Sequence, residues 1–205
     1  MKYLILIITF LSLLSCKKSN EKGEFDSAKI KNINEIVETI IIEDSLNVLK
    51  SDKKSRMLCE DLIKINVYVP EKSKDGLELP PPPPSNNISI NTLINSKIIE
   101  PMFFTSKDST YLILQNSGIV KYRIDEKILA KVNFTSSEME KTKRKIGKHY
   151  SFYEISLPLF SVDNNKAYVE LGYYCGSLCG QGKAFFLEKI NGKWKIIESF
   201  GTWIS

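Results

Sequence analysis

A single histidine, His149, and four cysteines in 205 residues leave little material for metal or nucleophile chemistry. A cysteine and histidine zinc site needs four ligands at short spacings. The one close pair, Cys175 and Cys179, has three residues between its members instead of the usual two, and His149 cannot complete the set. No metal site is therefore assigned. Gly-x-Ser-x-Gly, His-Glu-x-x-His and a glycine-rich phosphate loop ending in Lys-Ser/Thr are all missing, which leaves out the hydrolases, zinc proteases and nucleotide binders that carry those motifs. No cofactor is implied. Excess charge of one sign is also scarce: the net charge is +5, and one less once Lys2 goes with the leader described next. A surplus so small and scattered could favour anionic lipid or another envelope polyanion, but it argues against a nucleic-acid partner. Its densest stretch, Lys141 to Lys148, reads as a solvated face before a binding patch.

What is present begins with Met1, Lys2 and Tyr3, then an apolar block from Leu4 to Leu14, then Ser15 and Cys16. The block is about ten residues long, the length of a secretory core and well short of the roughly twenty that span a bilayer. Leu13-Leu14-Ser15-Cys16 resembles the lipobox of bacterial lipoproteins. That resemblance implies cleavage before Cys16, a diacylglycerol on its thiol, and acylation (palmitate or a similar chain) of the new amino group. Two or three acyl chains anchor firmly, because each buried methylene contributes about 0.8 kcal/mol. Lys17 stands where an aspartate often marks inner-membrane retention in such proteins, so the expected address is the extracytoplasmic side of the envelope, at the outer membrane before the inner. Membrane contact is expected through the N-terminal lipid.

The organisation that follows is a leader over 1–15, a flexible polar tether over 16–25, and one α+β domain over 26–205. Ile30, Ile33, Val37, Ile40, Ile41 and Val48 recur at helical spacing and predict an amphipathic helix running to Leu49. From Leu62 the period becomes two, with Ile63, Ile65, Val67 and Val69 on one side, which predicts a half-buried strand ending at Pro70. Residues 70–87 hold Asp75-Gly76 and five successive prolines, Pro80 to Pro84, and read as an exposed stiff loop.

Tyr111 to Gln115 and Ile119 to Arg123 flank Asn116-Ser117-Gly118 and predict a hairpin; Lys127 to Phe134 reads as a further strand, and Ser136 to Lys145 as a short polar helix or a loop. Phe152 to Leu157, Lys166 to Cys175, Lys183 to Ile190 and Lys193 to Phe200 are strand-like. Asn191-Gly192 is a strong two-residue hairpin signal. The last three runs predict a C-terminal antiparallel meander with Trp194, Ile196 and Phe200 on one face. Its closing pattern resembles the last strands of NTF2-like cone folds, but those carry several N-terminal helices and this chain offers one good one, so the expected fold is a helix packed on a mainly antiparallel sheet.

Candidate chemistry concentrates at Tyr173 to Gly182, where Gly176, Gly180 and Gly182 accompany Cys175 and Cys179. In an oxidising compartment the simplest account of the cysteines is a local disulfide. The glycines would let a backbone approach a ligand closely, and hairpin geometry also explains them. A thiol nucleophile would need His149 as base, and a redox pair would need a different spacing. Cys59 reads as a buried free thiol. Glu154 and Glu170 lie on predicted strands and could form an acid and base pair of the glycosidase kind, although charges on a half-exposed sheet are the ordinary account. The preferred reading is a non-catalytic binding or structural module at the cell envelope, with an unidentified envelope protein as a possible partner. Its alternatives are a small hydrolase or thiol-dependent enzyme at Cys175 to Gly182, and an envelope immunity or inhibitor protein.

Overall fold

The structure, a computed structural model, describes residues 27–52, 54–77, 79, 86–95, 102–118, 121–176 and 178–205. The leader, Cys16, the tether and the five prolines lie outside them. The fold is α+β, with an N-terminal helix on a mostly antiparallel sheet.

The amphipathic run forms α1 (Ser27–Glu43), which buries Ile33, Ile36, Val37, Ile40 and Ile41. It stops six residues before the expected Leu49. Ser45 adopts φ +51°, and the amides of Ser45 and Leu46 donate back to the carbonyls of Ile42 and Ile41 at 3.3 and 3.0 Å. This is the Schellman closure of a helix C-terminus, here on serine instead of glycine. Leu46 and Val48 still reach the core, so the apolar spacing persisted after the helix had ended.

The main sheet runs β11–β10–β9–β7–β1–β6, with β8 also bonded to β9. Its members are β1 (Met57–Cys59), β6 (Phe134–Thr135), β7 (Phe152–Ile155), β8 (Leu159–Phe160), β9 (Lys166–Gly176), β10 (Cys179–Ile190) and β11 (Lys193–Ile204). β1 is parallel to both β6 and β7, and every other pairing in this sheet is antiparallel. The predicted meander is present as β9, β10 and β11. Asn191 and Gly192 take φ +50° and +76°, the two left-handed residues that a type I′ hairpin turn requires.

Other expectations give way. The apolar run 62–69 is divided between two small ladders: β2 (Asp61–Leu62) pairs with β5 (Tyr122–Arg123), and β3 (Asn66–Tyr68) pairs with β4 (Asn87–Ser89). The expected hairpin at 111–123 does not form. Tyr111 to Leu114 belong to a helix, α3 (Ser109–Leu114), and Tyr122-Arg123 pairs elsewhere. A short apolar run is ambiguous between helix and strand, and Asp108 decides it. Its carboxylate accepts from the Thr105 amide and hydroxyl at 2.8 and 3.0 Å and from the Val162 amide at 3.0 Å, fixing the helical turn Ser106–Asp108 against the sheet. A shorter helix, α2 (Ile90–Ile94), precedes it. Of the strand expected at 127–134 only Phe134 is in a strand, β6, while its first three residues belong to a helix, α4 (Glu126–Leu129), whose start Asp125 caps by accepting from the Lys127 amide at 2.8 Å. Ser136 caps α5 (Ser137–Lys145), so that segment is helix and not loop.

The sheet separates two cores. On one face α1 packs with Leu58, Ile155, Val169, Phe185, Leu187 and Trp194. On the other, Phe103 and Phe104 meet Phe186 with ring centroids 5.0 and 6.3 Å apart, beside Tyr168 and Leu112. Trp194 and Ile196 serve the first core, but Phe200 joins the second, contrary to the expected common face. The cause is a register shift: Leu187 pairs with Ile196 and Phe186 with Glu198, leaving Ile197 as an extra residue. One inserted residue inverts the alternation, until a second shift, with Lys183 opposite Gly201 and Gly182 opposite Trp203, leaves Thr202 as another extra residue.

Candidate functional site

Along β9 the side chains alternate between the faces. Ala167, Val169 and Leu171 point toward α1, whereas Tyr168, Glu170, Gly172 and Tyr174 share the opposite face. That face is not uniformly apolar. Between the Phe186 core and a small cluster of Cys59, Tyr150 and Phe152 lies a concave cavity of about 260 Å³. β7, the residue after it and β9 form its floor with Glu154, Ser156, Glu170 and Gly172, the chain entering β3 and β4 contributes Ile65, Asn86 and Asn87, and Tyr174, Thr202 and Trp203 form its rim.

Glu154 pairs with Gly172 in the β7–β9 ladder, which puts Glu170 in the diagonal position on the same face. Such neighbours sit about 7–8 Å apart. Glu154 accepts from the Ser137 hydroxyl at 3.2 Å and the Cys59 thiol at 3.8 Å. Glu170 accepts from the Tyr168 hydroxyl at 2.7 Å, and its amide donates to Ser156 Oγ at 2.7 Å. Burial raises both carboxyl pKa values above the ordinary range, and these hydrogen bonds only partly oppose it. Lys141 also acts against the rise at Glu154. Burial, and then the Glu154 charge, push the Tyr174 phenol up to about 12. Among the described residues that line the cavity none is basic.

The glycines of the sequence-predicted loop have a visible use. A Cβ on Gly180 would come within 3.0 Å of the Trp203 ring, and one on Gly182 would collide with the indole nitrogen of Trp203. Trp203 therefore lies flat over bare backbone, 5.6 Å from the Tyr174 ring. Gly176 has φ +151°, a conformation that favours glycine. Cys175 and Cys179 are joined, with Cα atoms 5.1 Å apart. His149 is exposed, just before β7. Cys59 is a buried free thiol, and burial with the nearby Glu154 charge pushes its pKa to about 12. A thiolate nucleophile at neutral pH has no source among these three cysteines.

Glu154 and Glu170 were visible in the sequence as acidic residues inside aromatic strands. Tyr174 falls within the sequence-predicted stretch Tyr173 to Gly182, but Ser156, Asn86, Asn87 and Trp203 were not visible as site residues, since nothing in their spacing announces that β4, β7, β9 and the end of β11 converge. Comparison of the chain with family models, with curated proteins and with solved structures finds no match. The fold and the cavity define an α+β domain with a polar, carboxylate-floored pocket on one sheet face.

Proposed function

We propose that this protein is a lipid-anchored binding module of the bacterial envelope, and that its cavity over β7 and β9 holds a small ligand bearing an ammonium or guanidinium group. Anchoring is supported by the likeness of Leu13-Leu14-Ser15-Cys16 to a lipobox. Binding rests on one observation: two carboxylates face a concave site that no basic side chain among its described lining residues neutralises. Taking an ionised carboxylate out of water is expensive unless an opposite charge or hydrogen bonds compensate. A cation entering between Glu154 and Glu170 supplies that charge, while Trp203 and Tyr174 offer ring faces to its stem.

Calorimetric titration of the full chain with putrescine and with arginine amide, against 1,4-butanediol as the uncharged control, tests this. Binding of the amines, weakened at least tenfold by Glu170→Gln and absent for the diol, is the expected result. Equal binding of amine and diol, or none of either, overturns the ligand class. A second reading, favoured by the diagonal placement of the two carboxylates, is hydrolysis with one as acid and the other as base. Turnover of a chromogenic glycoside that either Glu→Gln variant abolishes would establish it in place of simple binding.

A further inference from the structure

We infer that the cavity over β7 and β9 takes an amino sugar, a single pyranose ring whose ammonium meets Glu170 and whose C–H face lies against Trp203. The inference deepens the proposed binding of a cationic ligand and rests on that reading. The two carboxylates are not equivalent. Glu154 already receives the Ser137 hydroxyl and the Cys59 thiol, with Lys141 acting on it as well. Glu170 receives one hydroxyl, that of Tyr168, and no charged side chain among the described residues acts against the effect of its burial. An incoming cation therefore gains most at Glu170.

Toward the rim the sheet is stripped of side chains. Gly172 pairs with Gly182 across β9 and β10, and the Trp203 indole spans Gly180 and Gly182, where a Cβ would meet it. One face of that indole rests on backbone, and the ring is 38% exposed on its other side. Glu170 and Gly172 are two residues apart on β9, about 7 Å, which is the span of one six-membered ring with its amino substituent. The apolar C–H face of a pyranose suits an aromatic ring, and its cationic end suits the acid. The rest of the lining includes the hydroxyls and amides of Ser156, Asn86, Asn87 and Thr202. A plain alkyl diamine displaces water from these groups without replacing its hydrogen bonds, which ring hydroxyls do. A free amino acid would bring its own carboxylate beside two acids, with no base among the described lining residues to receive it. The volume of about 260 Å³ falls just below the roughly 300–1,000 Å³ of drug-sized sites, enough for one ring and not for a chain.

Calorimetric titration of the full chain at pH 6.5 with methyl glucosaminide, methyl N-acetylglucosaminide, methyl glucoside and putrescine tests this. The glucosaminide should bind at least tenfold tighter than each of the other three. Trp203→Leu and, separately, Asn86→Ala should each weaken it at least fivefold; both residues are exposed and the Asn86 carbonyl that accepts from the Asn66 amide is kept, so circular dichroism should show native folding. Putrescine binding as tightly as the glucosaminide overturns the sugar assignment and leaves the cation reading standing. The glucoside or the N-acetyl sugar binding as tightly overturns it because the charge then plays no part. An unchanged glucosaminide affinity in both variants overturns it as well, and an absence of binding by all four compounds removes both readings.

Discussion

Replacing both Cys175 and Cys179 by serine should lower stability by about 2 kcal/mol. The pair closes a five-residue ring, with a sequence separation of 4. The chain-entropy relation for so small a loop gives ~7 cal/mol/K of lost denatured-state freedom, or about 2 kcal/mol at 25 °C. The native state has little to gain beyond this, because the β9–β10 ladder is already held by pairs from Gly180↔Tyr174 down to Glu188↔Lys166. Urea unfolding followed by the fluorescence of Trp194 and Trp203 together is a suitable assay. With a slope of about 2 kcal/mol/M for a chain of this size, the midpoint should drop by ~1 M without a change of slope. Wild-type protein treated with strong reductant should fall to the same midpoint. An unchanged midpoint in the double variant would refute the reasoning, showing that the bridge constrains nothing the hairpin does not already constrain. A changed slope would refute it too, because the variant would then differ in the surface exposed on unfolding.

Three further outcomes follow from the same geometry. Trp194 is 3% exposed, reaches Asn32 Oδ1 through its indole nitrogen at 3.4 Å and packs 5.9 Å from the Phe160 ring; Trp194→Ala should therefore cost about 3–5 kcal/mol, read by thermal or urea unfolding. Glu154 and Glu170 have folded pKa values raised by burial above the ordinary glutamate value of 4.5, so the stability they confer is complete below that value and is lost as pH rises through the folded values. Urea midpoints should fall as pH rises above 4.5, and the Glu154→Gln/Glu170→Gln variant should flatten that slope; a steeper one would show the assignment to be wrong. Cys59 should stay unmodified by a thiol reagent at pH 7.5 in the native state and react on addition of denaturant, because it is buried with a pKa near 12.

The sequence by itself determined the elements whose signals are local. Asn191-Gly192 dictates its hairpin through two left-handed residues, the spacing of Ile33, Val37, Ile40 and Ile41 dictates a helix, and the long aromatic runs of β9 and β10 can be little but strands. The α+β class and the meander follow from these. The proximity of Cys175 to Cys179 was legible for the same reason, four residues being too few to separate them. Tertiary structure decided everything that depends on a partner far along the chain. Whether Tyr111 to Leu114 coil or extend was settled by Asp108 reaching Val162, 54 residues on. The face of Phe200 was settled by one extra residue opposite β10, a shift that leaves no mark in the pattern of apolar residues. The cavity belongs to this second kind. Glu154, Glu170 and Trp203 come from three strands, and only the diagonal register of β7 on β9, with the close approach of an indole over Gly180 and Gly182, turns them into one site.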